Sequence, residues 1–227
     1  MSVYRVVTSF LKTIAADREV PPSSKTTAAA LDRLYASRTD PWGVTLSPFA
    51  HQRYLALVNE VGRLSPCVSI LDVGCGEGTL TRYVAGFASM TIGIDVSEVA
   101  IGRARQAVPR ATFECVRLED YQPPRPFSIV LAIEVLYYVP SVPEALQRLL
   151  SLGDDVIVSY TSRERDRIEP HLASCGDGGT RRFYPFYESA KFGFTVAHLT
   201  ASPDSAFRCH ASNAGAGTTL VPDSAYA

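Results

Sequence analysis

The chain has 227 residues, 46% of them apolar and 20% charged, which suits one α/β domain with some added structure and a sizeable core. Its formal net charge of −1 argues against broad electrostatic binding to nucleic acid, and no apolar run reaches the roughly 20 residues that a membrane-crossing helix needs. Cys67, Cys75, Cys115, Cys175 and Cys209 form no C-x-x-C pair and stand at no zinc-finger spacing to His51, His171, His198 or His210, so reduced cysteines in a cytoplasmic protein and no metal site are expected.

In chain order, Val3, Val6, Val7, Phe10, Leu11 and Ile14 fall at helical spacing. They predict an amphipathic helix that packs on the domain or pairs two subunits, membrane-surface contact being the alternative. The segment lacks the continuous apolar core and small-residue cleavage site of a secretory signal. Pro21 to Thr27 is a linker by composition. Helices are predicted over Ala28–Ala36 and Pro48–Val61, separated by the breaker Asp40-Pro41-Trp42-Gly43, with Pro48 suited to a first turn.

From residue 68 short apolar runs alternate with helical stretches. The runs are Val68–Val73, Met90–Asp95, Ala111–Val116, Phe127–Ile133, Asp154–Tyr160, Phe194–Thr200 and Phe207–Ala211, with helices at Ser97–Ala107 and Val142–Leu152. Near-continuous apolar strands joined by helical crossovers predict a mostly parallel sheet covered on both faces. The last two runs, joined by a short polar turn, predict a C-terminal antiparallel hairpin. Residues 163–187 read as an irregular polar and aromatic insertion, and the tail from Asn213 as disordered.

The run Ile70-Leu71-Asp72-Val73 ends in Gly74-Cys75-Gly76-Glu77-Gly78, a turn that leads into a helix near Thr79. Glycine lets a backbone approach a ligand where a Cβ would collide. Open α/β sheets bind ligands at the carboxyl ends of their strands. The second strand ends on Asp95, 17 residues past Gly78, where a carboxylate can accept both hydroxyls of a ribose or cap the helix that follows. A dinucleotide site uses G-x-G-x-x-G and meets a pyrophosphate at a helix N-terminus. Here the spacing is G-x-G-x-G with Asp72 and Glu77 beside it, and this negative charge suits a ligand with an ammonium or sulfonium group.

The segment Asp72 to Gly78 resembles motif I of class I S-adenosylmethionine-dependent methyltransferases. Gly93-Ile94-Asp95-Val96-Ser97 is similar to that family's second-strand motif, and Ile129 to Val135 to its fourth strand. The resemblance implies a Rossmann-like, seven-stranded, mostly parallel sheet over residues 48–212 and S-adenosyl-L-methionine as cofactor. It places Gly74 and Gly76 against the amino-acid part of the cofactor and Asp95 at its ribose, with Asp72, Cys75, Val96, Leu118 and Glu119 as further cofactor-binding residues. The family's acid after the third strand is replaced by Arg117; either Glu119, beside Leu118, takes its place or backbone groups hold the adenine. Asp40-Pro41-Trp42-Gly43, Gln52 to Leu57 and Glu134-Val135-Leu136-Tyr137-Tyr138 further resemble the nodulation-protein-S-like group, which includes N-methyltransferases of a chitooligosaccharide precursor. That implies a lid within residues 1–47, with Trp42 closing the cofactor site and Arg53 meeting the cofactor carboxylate.

Methyl transfer asks for alignment, exclusion of water and removal of a proton from the acceptor. Glu134, at the end of the fourth strand, is the first candidate to orient or deprotonate the acceptor, a capping carboxylate being the alternative. Tyr137 and Tyr138 fit either a wall against a sugar ring or core aromatics. His171 is a second candidate base, and Arg163, Arg165, Arg167, Arg181 and Arg182 suggest an anionic or polyhydroxylated acceptor, unless they are simply solvated. The function expected is methyl transfer to N or O of a small molecule, a saccharide or glycan precursor. An RNA-modifying enzyme and a non-catalytic cofactor-binding module are the alternatives, and the loop spacing disfavours a nicotinamide oxidoreductase.

Overall fold

The computed structural model describes residues 27–174, 180–185 and 193–201. The predicted N-terminal helix, the Phe207–Ala211 run and the tail lie outside these residues. The described strands are β1 (Cys67–Val73), β2 (Ala88–Asp95), β3 (Thr112–Cys115), β4 (Phe127–Ile133), β5 (Gly153–Thr161), β6 (Thr180–Pro185) and β7 (Gly193–Thr200). The helices are α1 (Ala28–Ser37), α2 (Pro48–Arg63), α3 (Thr79–Val84), α4 (Glu98–Ala107), α5 (Val142–Leu152) and α6 (Arg165–Leu172).

The strands form one sheet in the order β3-β2-β1-β4-β5-β7-β6. The first five strands in sequence pair in parallel, whereas β7 runs antiparallel to both β5 and β6. Alternate residues of the central strands enter separate cores, as the two-residue period of a strand requires. Ile70, Ile129, Leu131 and Ile157 pack with Leu57 and Val61 of α2 and with Leu80 and Val84 of α3. Leu71, Val130, Ala132, Val156 and Val158 pack with Leu146 and Leu149 of α5 and with Ile168 and Leu172 of α6. Burial on both faces is why these strands read as unbroken apolar runs.

The helices begin where their sequence says they can. The hydroxyls of Ser47, Ser97 and Ser141 accept from the backbone N–H three residues on, at the starts of α2, α4 and α5. Pro48 stands in the first turn of α2. In α5 the buried Val142, Ala145, Leu146, Leu149 and Leu150 recur at helical spacing and make one apolar stripe.

The C-terminal hairpin is present, but its strands are β6 and β7, so its first strand comes from the 163–187 segment read as irregular. That segment also holds a 3₁₀ turn, Ser162–Glu164, and α6. The reason is positional: β6 is an edge strand, Thr-Arg-Arg-Phe-Tyr-Pro, with three of its first residues exposed and a proline at its end. Edge strands carry charges and proline for solvent-facing reasons, and this hides their strand pattern.

Strand order reverses at β1, which has β2 on one side and β4 on the other. A crevice opens there, at the carboxyl ends of the parallel strands.

Candidate active site

Gly74, Gly76 and Gly78 stand at φ +70°, +53° and +78°, a left-handed conformation that residues with a Cβ adopt at a cost. Space makes the same demand. A Cβ on Gly74 would lie 2.6 Å from Val135 Cγ2, and one on Gly76 would lie 2.7 Å from the Tyr35 hydroxyl. The turn is anchored across the sheet, because the N–H groups of Gly74 and Cys75 both donate to the Ile94 carbonyl (2.8 and 3.1 Å). Asp95 braces it from the end of β2: Oδ2 accepts from Gly76 N (2.9 Å) and Oδ1 from Ser97 N (3.0 Å). Burial pushes the Asp95 carboxyl up, and its backbone donors oppose that shift. Lone pairs remain on both oxygens for a ligand.

The other two acids of the turn do not face a ligand as free charges, and the electrostatic expectation changes accordingly. Asp72 is buried and its Oδ2 accepts from Thr81 Oγ1 at 2.6 Å, which ties β1 to α3. Burial pushes its carboxyl up to about 7. Glu77 turns towards α4 and pairs with Arg103 (2.6 Å), while its second oxygen accepts from Asp40 N (2.9 Å). Its charge is neutralised, and it pins the Asp40-Pro41-Trp42-Gly43 turn to the glycine turn.

Asp40 shapes that turn itself. Its two carboxylate oxygens accept from Val44 N (2.8 Å) and Thr45 N (2.9 Å), and its carbonyl accepts from Gly43 N (2.8 Å). Trp42 is thereby held against α1, where its Nε1 donates to the Tyr35 hydroxyl (2.9 Å). The Trp42 ring also meets Tyr138, with centroids 5.7 Å apart. Asp32 fixes α1 in turn, accepting from Ser97 Oγ (2.7 Å) and Val99 N (3.1 Å) at the start of α4.

These parts enclose a cavity of about 480 Å³, within the size range of small-molecule sites. Its walls come from α1, the Trp42 turn, α2, the glycine turn and the segments that follow β2, β3 and β4. Trp42, Arg53, Asp72, Gly74, Cys75, Gly76, Asp95, Val96, Leu118, Glu119 and Glu134 all border it. Glu119 sits at an exposed edge and pairs with Arg117 at 3.4 Å, so the replacement arginine faces an acid of its own.

His171 lies in the last turn of α6, away from the residues that border the cavity. Most of the arginines expected to face an acceptor are likewise spent within the chain. Arg182 pairs with Glu60 (2.8 Å), Arg165 with Glu169 (3.3 Å) and with the face of Phe183, and Arg167 reaches the carbonyls of Tyr137 and Val139.

Glu134 stands at φ +58°, rare for a residue with a long side chain. Its N–H donates to the Ser159 carbonyl (3.0 Å), Oε1 accepts from Ser159 Oγ (2.9 Å), and Oε2 accepts from the Tyr137 hydroxyl (2.8 Å). Arg53 Nε lies 3.3 Å from Oε1 as an ion pair, although poorly aligned for a hydrogen bond, and its guanidinium lies over Phe194. Arg53 also borders the cavity. Sequence reasoning missed Tyr35 and Ser159. Both are placed by contacts across the chain; Ser159 could have been marked as a hydroxyl inside the apolar run Val156–Tyr160, whereas nothing in the local sequence marks Tyr35.

A parallel sheet that reverses at β1, with a glycine turn and an acid-ended neighbouring strand around one cavity, defines an open α/β protein built for a nucleoside-containing ligand. The chain belongs to the methyltransferase-domain family, whose model matches residues 30–179. It is 27% identical to nodulation protein S of Bradyrhizobium diazoefficiens over 133 residues, which cover 55% of this chain and 64% of that protein. It is 38% identical to the ubiquinone biosynthesis O-methyltransferase of Thiobacillus denitrificans over 103 residues, 41% of this chain and 44% of that protein. The chain thus spans less than two-thirds of these curated relatives. Among solved structures it is similar to N-methyltransferase NodS from Bradyrhizobium japonicum WM9 in complex with S-adenosyl-L-homocysteine: TM-score 0.65, 21% identity, 78% of this chain and 99% of that one. At that identity the likeness concerns the fold. Among the described residues no helix is long and apolar enough to cross a membrane.

Proposed function

We propose that the chain binds S-adenosyl-L-methionine in the cavity and transfers its methyl group to nitrogen or oxygen of a small molecule, a saccharide or glycan precursor. The observation that carries this reading is the glycine turn, braced by Asp95, on the wall of a cavity that Arg53 also borders. The donor set fits such a cofactor. Asp95 has lone pairs for ribose hydroxyls, the Nη groups of Arg53 suit a carboxylate, and Gly74, Cys75 and Gly76 offer close backbone approach. Val96, Leu118 and Glu119 border the place for the adenosine, and Trp42 with Tyr35 covers it.

The bound sulfonium supplies an electrophilic methyl group. The chain supplies alignment, an effect that contributes roughly 7–11 kcal/mol in well-oriented reactions. Glu134 is the acid placed to orient or deprotonate the acceptor. A saccharide acceptor is supported by the similarity to nodulation protein S and by the Trp42, Tyr137 and Tyr138 rings that border the cavity. The similarity to a ubiquinone biosynthesis O-methyltransferase favours, as a second reading, a phenolic hydroxyl.

Calorimetry with S-adenosyl-L-homocysteine and NAD tests the cofactor. The first should bind at about micromolar concentration or better, the second should not, and Asp95→Ala should weaken the first by at least about tenfold. Tighter binding of NAD, or unchanged affinity in a folded Asp95→Ala variant, overturns this reading. Release of S-adenosyl-L-homocysteine across glucosamine, chitobiose, a catechol and RNA then sorts the acceptor class.

A further inference from the structure

The geometry points to a two-residue proton path, from Tyr137 to Glu134, by which the acceptor loses its proton; it rests on the methyl-transfer reading above. The two oxygens of Glu134 differ. Oε1 is matched by Ser159 Oγ (2.9 Å) and by the charge of Arg53 (3.3 Å). Oε2 has, among the described residues, the Tyr137 hydroxyl as its hydrogen-bond partner, at 2.8 Å. A hydroxyl that donates to a carboxylate keeps its own lone pairs free to accept another proton. Tyr137 borders the cavity and can therefore offer that lone pair to a bound acceptor.

Both members are held. Glu134 keeps its left-handed backbone (φ +58°) through the bond from its N–H to Ser159. The planar guanidinium of Arg167 donates to the carbonyls of Tyr137 (3.1 Å) and Val139 (3.4 Å), which fixes the segment after β4 from α6. Burial first, and the Glu134 charge second, push the Tyr137 phenol upward, so it does not persist as a free phenolate. It takes one proton only as it gives up another.

The step balances. As the acceptor atom bonds to the methyl carbon, the carbon–sulfur bond breaks and its electron pair returns to sulfur. The acceptor's proton passes to Tyr137 Oη, and the original phenol proton passes to Glu134 Oε2. Positive charge is lost at sulfur and negative charge at Glu134. Tyr137 touches the acceptor and is the catalytic residue; Glu134 acts through it.

The test compares two adenosyl ligands in the full chain by calorimetry: S-adenosyl-L-homocysteine, and sinefungin, which carries an amine-bearing carbon where the methylsulfonium would be. The amine reaches towards Tyr137 and Glu134, whereas S-adenosyl-L-homocysteine leaves that place empty. Wild type should prefer sinefungin. That preference should fall by about tenfold in Tyr137→Phe and in Glu134→Gln, with affinity for S-adenosyl-L-homocysteine held within about twofold in Tyr137→Phe. A merely structural role would shift both ligands together and leave their ratio unchanged. Loss of both ligands in wild type defeats the parent reading. No preference in wild type, or a preference kept in both variants while S-adenosyl-L-homocysteine binds, overturns the proton path.

Discussion

Asp72 shows how a side chain that borders the cavity can be tied inward to a neighbouring helix. Its carboxyl is buried against Thr81, and burial raises it from 3.8 to about 7, with the Asp95 charge adding to the shift. The native chain therefore holds a proton that the unfolded chain has lost between these two values. Stability from this group is fullest below the lower value and is lost as pH rises through the upper one. Asp72→Asn keeps an acceptor for Thr81 and removes the titration. Denaturant melts of both proteins from pH 4 to pH 8 should show wild type losing stability relative to the variant as pH rises. Parallel curves would rule out the raised carboxyl. The same residue shows what sequence could and could not tell. Its acid type and its place before the glycines were plain, but Thr81, nine residues on, turns that charge inward.

At the scale of elements, the part that positions the cavity is the docking of α1 on α4. Asp32 reaches Ser97 and Val99, Arg103 reaches the Arg38 carbonyl (3.1 Å) and Glu77, and Tyr35 covers Gly76. The hydrogen bond from Ser97, and next that from Val99, pulls the Asp32 carboxyl below its ordinary value, so the dock is ionic at neutral pH and weakens as pH falls through that lowered value. Asp32→Ala should cost about 1 kcal/mol, as loss of a helix-capping acid does, and should speed release of S-adenosyl-L-homocysteine. Stopped-flow release at the wild-type rate would detach α1 from retention of the ligand. None of this docking was legible in the sequence. Helix α1 was expected over nearly its observed span, but the partners of Asp32 at the start of α4 lie 65 and 67 residues away and no local pattern announces them.

For the whole molecule, legibility followed burial. The central strands β1, β4 and β5 were expected close to their observed bounds, because each is mostly apolar along its buried length, whereas β3 buries only Phe113. Strand β6 was read as part of an irregular segment, because none of its residues is buried and Arg182 is drawn into an ion pair with Glu60; the predicted Phe207–Ala211 run lies outside the described residues. Glu60 of α2, buried, receives Arg63 (2.7 Å) and Arg182 of β6 (2.8 Å), which ties the hairpin to a helix that also carries Arg53. The glycine turn and Asp95 were readable because backbone conformation and strand ends constrain residue type directly. The neutralising of Glu77 by Arg103 was not.

Trp42 is the single tryptophan of the chain. Its indole N–H is spent on Tyr35 and the residue borders the cavity, so the chain's one indole fluorophore stands at the cavity wall. Emission excited in the tryptophan band thus reports one location and not an average over the fold. Titration with an adenosyl ligand should change its intensity or wavelength without any added label, and quenching by a neutral solute should fall as the cavity fills.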